Sequence, residues 1–210
     1  PLLYWEQLQC SANQNTISII YMVFPYYKDA SLHDALAIKT RYTVRTLINL
    51  FLSICEGIQT IHEAQMAHRD IKPSNIMMIS NTNCILLDFG SMTTSKIKVN
   101  TRQESQQWQD WAAENCCLQY RAPELFHIET GSVITEKTGP FDNVYSRGDS
   151  VALAVTSGII EVPKSQALTY PTEIVELMLL MLQTDAEKRP TISDVIEKLQ
   201  DVSRFTMDLV

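Results

Sequence analysis

Between residues 43 and 64, apolar side chains return at Leu47, Phe51, Ile54, Ile58 and Ile61, in steps of three and four. That period predicts one long amphipathic helix with a single apolar stripe. The same reading predicts helices over 172–183 and 193–205, and a short one over 32–39 with Ser31 as its N-cap. The β-rich residues 16–24 follow a polar turn at Ser11, Asn13 and Asn15, so 2–9 and 16–24 are expected to pair as a hairpin. Pro25 has no N–H to give and ends that ladder. A second hairpin is expected from 75–79 and 84–88 around a two-residue loop, Asn81-Thr82, with Asn81 accepting positive φ. If Ser80 faces Asn83, Asn75 lies opposite Asp88, and facing residues sit roughly 4.5–5.5 Å apart at Cα. There is no internal repeat and no low-complexity segment.

Composition narrows the class. At 210 residues, 45% hydrophobic and 20% charged, the chain has the make-up of one globular domain or a large part of one. A net charge of −7 supplies no basic stripe, so no nucleic-acid partner is expected. Five cysteines without zinc-type spacing read as free thiols in a reducing, cytoplasmic setting. The longest apolar runs, 17–24 and 174–182, fall short of a transmembrane segment, and no signal peptide opens the chain.

The candidate chemistry lies in His68-Arg69-Asp70-Ile71-Lys72-Pro73-Ser74-Asn75, followed by Asp88-Phe89-Gly90. The second hairpin would bring the amide oxygen of Asn75 and the carboxylate of Asp88 together at its open end. Hard oxygen ligands so placed suit Mg²⁺, which takes one or two carboxylates and completes its octahedron with phosphate and water. Asp70 and Lys72, two apart on an extended loop, reach the same mouth. The carboxylate can orient a hydroxyl and accept its proton, and the ammonium can neutralise a phosphoryl group in transfer. A lone Asp-Phe-Gly is usually a turn and a lone His-Arg-Asp usually a solvated loop, but both together, in this order and at this distance, are not coincidence.

These motifs resemble those of protein kinases, with Arg121-Ala122-Pro123-Glu124 and Glu187-Lys188-Arg189-Pro190-Thr191 in the expected order. Lys72 and Pro73 resemble the serine/threonine branch. Asp88-Phe-Gly-Ser-Met92, Gln109-Asp-Trp-Ala-Ala113 and 148–155 are similar to the Numb-associated kinase family. The resemblance implies an α+β, protein kinase-like fold: a mostly helical large lobe over 25–205 and a small-lobe remnant over 1–24. It implies Asp70 as catalytic base, Lys72 as contact to the γ-phosphate of ATP, and Asn75 and Asp88 as Mg²⁺ ligands. Phe24 would be the gatekeeper, Pro25 and Tyr27 the hinge that reads adenine, and Met77 the adenine floor, although an ordinary core methionine would look the same. Pro25 can still accept through its carbonyl while the Tyr27 N–H donates. The resemblance also implies a Glu124–Arg189 ion pair and a helix around Trp108 and Trp111 within the activation segment. The partners implied are ATP and a protein substrate, with Golgi or other peripheral membrane association only through an acyl anchor that these residues do not contain.

Departures from the pattern set further expectations. The six glycines never form a phosphate-cradling cluster. Most of the small lobe is missing, as is the central large-lobe helix: after Thr138 the pattern gives way to Gly139-Pro140-Phe141-Asp142, an internal deletion. Residues 150–160 are the expected substitute, packed against the 43–64 helix, in a chain of marginal stability. Cys117 stands where the family carries a threonine that steadies the catalytic aspartate, and a thiol is a poor donor. Two classes of function follow: an ATP-dependent serine/threonine kinase, whose isolated 210 residues would be weak or inactive, or a non-catalytic kinase-like interaction module or unproductive splice product. A small-molecule phosphotransferase is disfavoured by Lys72 and the Arg-Ala-Pro-Glu element.

Overall fold

The structure, a computed structural model, describes residues 3–12, 15–28, 30–38, 42–137 and 170–207. It opens with an antiparallel hairpin, β1 (Tyr4–Ala12) and β2 (Asn15–Val23), in which Tyr4 faces Val23 and Ala12 faces Asn15. Strand β2 stops one residue short of the expected end, so Phe24 lies just beyond the ladder and next to Pro25. The apolar side chains of this hairpin stay exposed among the described residues, Trp5 at 60% and Met22 at 59% on one face, Tyr21 at 50% on the other.

Helix α1 (Leu32–Ala37) begins where expected: Ser31 accepts from the Asp34 N–H, and Asp34 returns the bond to the Ser31 backbone. Helix α2 (Val44–Glu63) is capped by the Thr43 hydroxyl. It is the element around which the rest assembles, and its burial differs from the single stripe expected. Its fully buried residues are Ile48, Leu50 and Cys55, which flank the stripe, while Leu47, Phe51, Ile54 and Ile58 are only half-buried. On one flank Leu50 packs with Ile76, Met78 and Cys84 of the second hairpin. On the other, Cys55 packs with Leu177 of α4 (Thr172–Met181) and with Val195 and Leu199 of α5 (Ile192–Met207). Gly57 lets α2 approach closely, since a Cβ there would come within 3.2 Å of the Leu86 side chain.

The second hairpin pairs β4 (Ile76–Met78) with β5 (Cys84–Leu86). Its register departs by one residue from the expected one: Met78 faces Cys84 and Ile76 faces Leu86. The turn is wider than two residues, because the N–H groups of Ile79 and Ser80 both donate to the Asn83 carbonyl, and the Ser80 hydroxyl accepts from Thr82 and Asn83. Asn81 is not among the residues at positive φ. The Asn83 carbonyl and the Ser80 hydroxyl therefore make the turn together, without the positive φ expected of Asn81.

Short ladders tie the following segment down: β3 (Met66–Ala67) pairs with β6 (Thr93–Thr94), and β7 (Ile97–Lys98) with β8 (Val133–Ile134). Between β7 and β8 stands α3 (Arg102–Asn115), closed at its start by a Thr101–Glu104 capping box. Trp108 and Trp111 meet edge to face with ring centres 5.4 Å apart, over a core containing Val99, Ala112, Ile128 and Ile134. The α+β fold and the activation-segment helix are thus as expected. The 150–160 substitute lies outside the described residues. Among them, no helix is long and apolar enough to cross a membrane.

Leu199 is completely buried between α2 and α4. Leu199→Ala should cost about 2–5 kcal/mol and lower the urea midpoint of unfolding, without changing its slope. An unchanged midpoint would remove α5 from the core.

Candidate active site

The loop after β3 turns sharply at Arg69, whose φ of 69° is the left-handed region. The turn presents the Asp70 carboxylate to three donors. Oδ2 accepts from Lys72 Nζ at 2.5 Å and from Asn75 Nδ2 at 3.2 Å, and Oδ1 accepts from the Cys117 N–H at 3.0 Å. The Asp70 side chain is 7% exposed and that of Lys72 24%. Burial alone would lower the Lys72 pKa, but its hydrogen bond to Asp70 and the Asp70 charge outweigh that and hold it above the usual lysine range. The doubt raised by Cys117 therefore resolves in the backbone: its N–H, not its thiol, steadies Asp70. Side-chain identity at 117 gave no signal for this, since every residue but proline carries that donor.

Asn75 spends both amide hydrogens on Asp70, one on its carbonyl at 2.9 Å and one on its carboxylate, so its Oδ1 is left for a cation. The one-residue shift in register puts Leu87, not Asp88, opposite Asn75, with the Leu87 N–H donating to the Asn75 carbonyl at 2.8 Å. Asp88 follows in the left-handed region at φ 62°, where its Oδ1 accepts from Gly90 N–H. Its charge is one of the smaller influences that raise the Lys72 pKa. An amide oxygen and a carboxylate are the donor types that could hold Mg²⁺.

Buried cations hold the frame. The Arg69 guanidinium is 5% exposed as a residue and donates to the Thr93 hydroxyl and to the carbonyls of Thr94, Ser95 and Thr135. His68 bonds the Leu87 carbonyl through Nε2 at 3.0 Å and meets the Phe89 ring at 5.5 Å. The expected Glu124–Arg189 pair is present and bidentate, at 2.8 and 2.9 Å, and Arg189 also donates to the carbonyls of Gln183, Thr184 and Lys137. Arg121 closes the end of α3 by donating to the carbonyls of Ala113 and Cys116.

Residues 24–28, without regular secondary structure, follow β2 on the way to α1. Ala30 O accepts from the Met78 N–H, and Ser31 bridges to Met77, so the segment that follows Pro25 and Tyr27 docks on β4. Ile76 and Met78 point into the core. Met77 alternates to the opposite face and is half-buried. Phe24 is 57% exposed.

Comparison with known proteins gives the class: the chain belongs to the protein kinase family, whose domain matches residues 9–157. It is 32% identical over 200 residues to Serine/threonine-protein kinase 16 of Rattus norvegicus and to that of Homo sapiens, covering 86% of this chain in each case. It is 28% identical over 249 residues to Serine/threonine-protein kinase ppk13 of Schizosaccharomyces pombe, covering 93% of this chain and 71% of that one. The chain spans 65% of the length of the rat and human relatives. The resemblance to the Numb-associated kinases and the kinase-like fold both stand. The family brings ATP and, as a rule, Mg²⁺ with it.

Two measurements test this geometry. Glu124→Ala strips a buried guanidinium of its partner and should destabilise by up to about 3–5 kcal/mol, less whatever solvent at the partly open carboxylate recovers, read from urea unfolding. Burial pushes the Cys55 thiol up to about 12 and that of Cys116 to about 11. Both pKa values are raised in the folded chain, so the stability they contribute is whole below pH 9 and is lost as pH climbs toward 11 and 12. Iodoacetamide at neutral pH should therefore label the half-exposed Cys117 and spare Cys55, Cys84 and Cys116. Rapid labelling of Cys55 in the folded chain would contradict the packing of α2.

Proposed function

We propose that this chain carries the phosphoryl-transfer centre of an ATP-dependent serine/threonine protein kinase. The observation that supports this reading best is the Asp70 carboxylate, held on both oxygens beside a lysine ammonium and an asparagine amide. A hydroxyl brought to Asp70 would be oriented and would hand over its proton there. Lys72, two residues on, would swing from Asp70 to the γ-phosphate and offset its charge. Asn75 and Asp88 would hold Mg²⁺, which when bound neutralises the phosphate oxygens. The segment with Pro25 and Tyr27 would read adenine, Met77 would form its floor, and Phe24 would be the gatekeeper. The substrate would be a protein serine or threonine presented over the Arg121–Glu124 platform.

The reading of residues 1–24 as small-lobe remnant and 25–205 as large lobe, with a deletion after Thr138, has two supports. One is the exposed hairpin β1–β2. The other is the alignment to the rat relative: 86% of 210 residues is about 181, fewer than the 200 aligned positions, so about 19 positions there have no counterpart here. Free thiols at Cys55, Cys84, Cys116 and Cys117 suit a reducing, cytoplasmic setting. The second reading is a non-catalytic interaction module: the glycines of these 210 residues, Gly57, Gly90, Gly131, Gly139, Gly148 and Gly158, form no phosphate-cradling loop, so these residues by themselves would hold the phosphates from one side only.

Transfer of labelled phosphate from ATP to a protein substrate separates the two. The 210 residues alone should transfer little, and robust turnover would overturn that expectation. In a polypeptide extended by a small lobe with a glycine-rich loop and by a central helix, Asp70→Asn should lower transfer by roughly 10²–10⁴-fold and leave nucleotide affinity nearly unchanged. Equal transfer by Asp70→Asn would remove Asp70 from the mechanism.

A further inference from the structure

Strand β2 is composed like an interior strand and lies at an edge. Residues 15–27 carry no charged side chain and no glycine, and the first proline, Pro25, comes after the ladder has ended. A strand at a free edge is ordinarily blunted by a charge, a proline or a bulge. β2 has none of these: its nine residues pair one for one with β1, from Asn15 opposite Ala12 to Val23 opposite Tyr4. Its apolar side chains fall on both faces, Ile19, Tyr21 and Val23 on one, Ile20 and Met22 on the other, and all five are exposed. Such a near-continuous apolar run belongs to a strand covered on both faces. Yet among the described residues β1 and β2 form a two-stranded sheet of their own, so the outer edge of β2 has no ladder partner. Two strands alone are only marginally stable in water.

The chemistry of that edge selects its partner. A strand like β1 would bring Glu6 to the seam, whereas a second β2 brings no charge at all. Running antiparallel about a two-fold axis near Ile20, the middle of residues 17–23, the same uncharged strand lies on both sides and the contact closes on itself. The main-chain groups of the two edges then satisfy one another. The surface is sufficient as well. Tyr4, Trp5, Tyr21 and Phe24 are each between 50% and 60% exposed. At roughly 150–250 Å² for a fully covered aromatic side chain, about half stays open on each, on the order of 600–1,000 Å² over two copies. Ile19, Ile20, Met22 and Val23 add to this and bring the apolar surface on offer to the roughly 1,200 Å² at which specific interfaces begin.

We propose that the outer edge of β2 is a docking surface for a second copy of this chain, the two β2 strands joining antiparallel into one four-stranded sheet. This goes beyond the phosphoryl-transfer reading and stands without it. Analytical ultracentrifugation of the 210-residue chain should give twice the mass of one chain at high concentration and the mass of one on dilution. A monomer throughout, or an open series of larger polymers, would overturn the proposal. Ile20→Lys sets like charges opposite one another at the seam and should raise the dimer dissociation constant roughly tenfold or more. Val133→Lys, at an exposed position of β8, should leave it unchanged. An undisturbed dimer in Ile20→Lys would also overturn it. Hydrogen exchange supplies a readout that needs no variant: the amides of 18–23 should exchange several-fold more slowly in the concentrated chain than in the dilute one. Exchange there that is independent of concentration would put the contact elsewhere and sink the assignment.

Discussion

A guanidinium taken out of water must find acceptors for its N–H groups, and the two most deeply buried arginines that find them decide how this chain is arranged. Arg69 gathers the carbonyls of Thr94, Ser95 and Thr135, which come from the beginning and the end of the activation segment. Arg189 gathers those of Gln183, Thr184 and Lys137 together with both oxygens of Glu124. An unpaired buried cation is worth several kcal/mol against folding, so these segments cannot drift apart without losing both clamps at once. The site inherits its geometry from them. Asp70 follows Arg69 directly, and the strand that Arg69 holds, Thr93–Thr94, leads on to α3 and so to Cys117.

Backbone groups do much of the work that side chains were expected to do. The Cys117 N–H steadies Asp70, the Asn75 carbonyl fixes the register of the hairpin, and the Asn83 carbonyl makes its turn. A substitution at Cys117 that keeps its N–H leaves the Asp70 contact possible. The departure from threonine at that position is compatible with an ordered carboxylate for this reason.

Packing around α2 is asymmetric. Its two flanks are sealed by the second hairpin and by α4 and α5, through Leu50 and Cys55. The stripe between them, which the sequence marks most clearly, is only half-buried. An amphipathic pattern states that a face wants cover without naming what covers it.

Much of this protein could be read from the chain alone, and for local reasons. Helix starts at Ser31 and Thr43 follow from short polar side chains that bond N–H groups three residues on, whereas α5 begins at Ile192 behind the Thr191 hydroxyl, a residue before the expected start. The kinase motifs point to Asp70, Lys72, Asn75 and Asp88, and the structure brings Lys72 and Asn75 within hydrogen-bond reach of Asp70. What the chain alone left open depends on contacts distant in sequence. A hairpin register can shift by one residue when a serine in the turn offers its hydroxyl, and that moved Asp88 from the position facing Asn75 into a left-handed turn beyond it. The hold on Asp70 comes from a backbone N–H 47 residues away, which side-chain identity does not encode. Which face of α2 is sealed was settled only by where β4, β5 and α5 came to rest, because a stripe records its need for burial but not its partner.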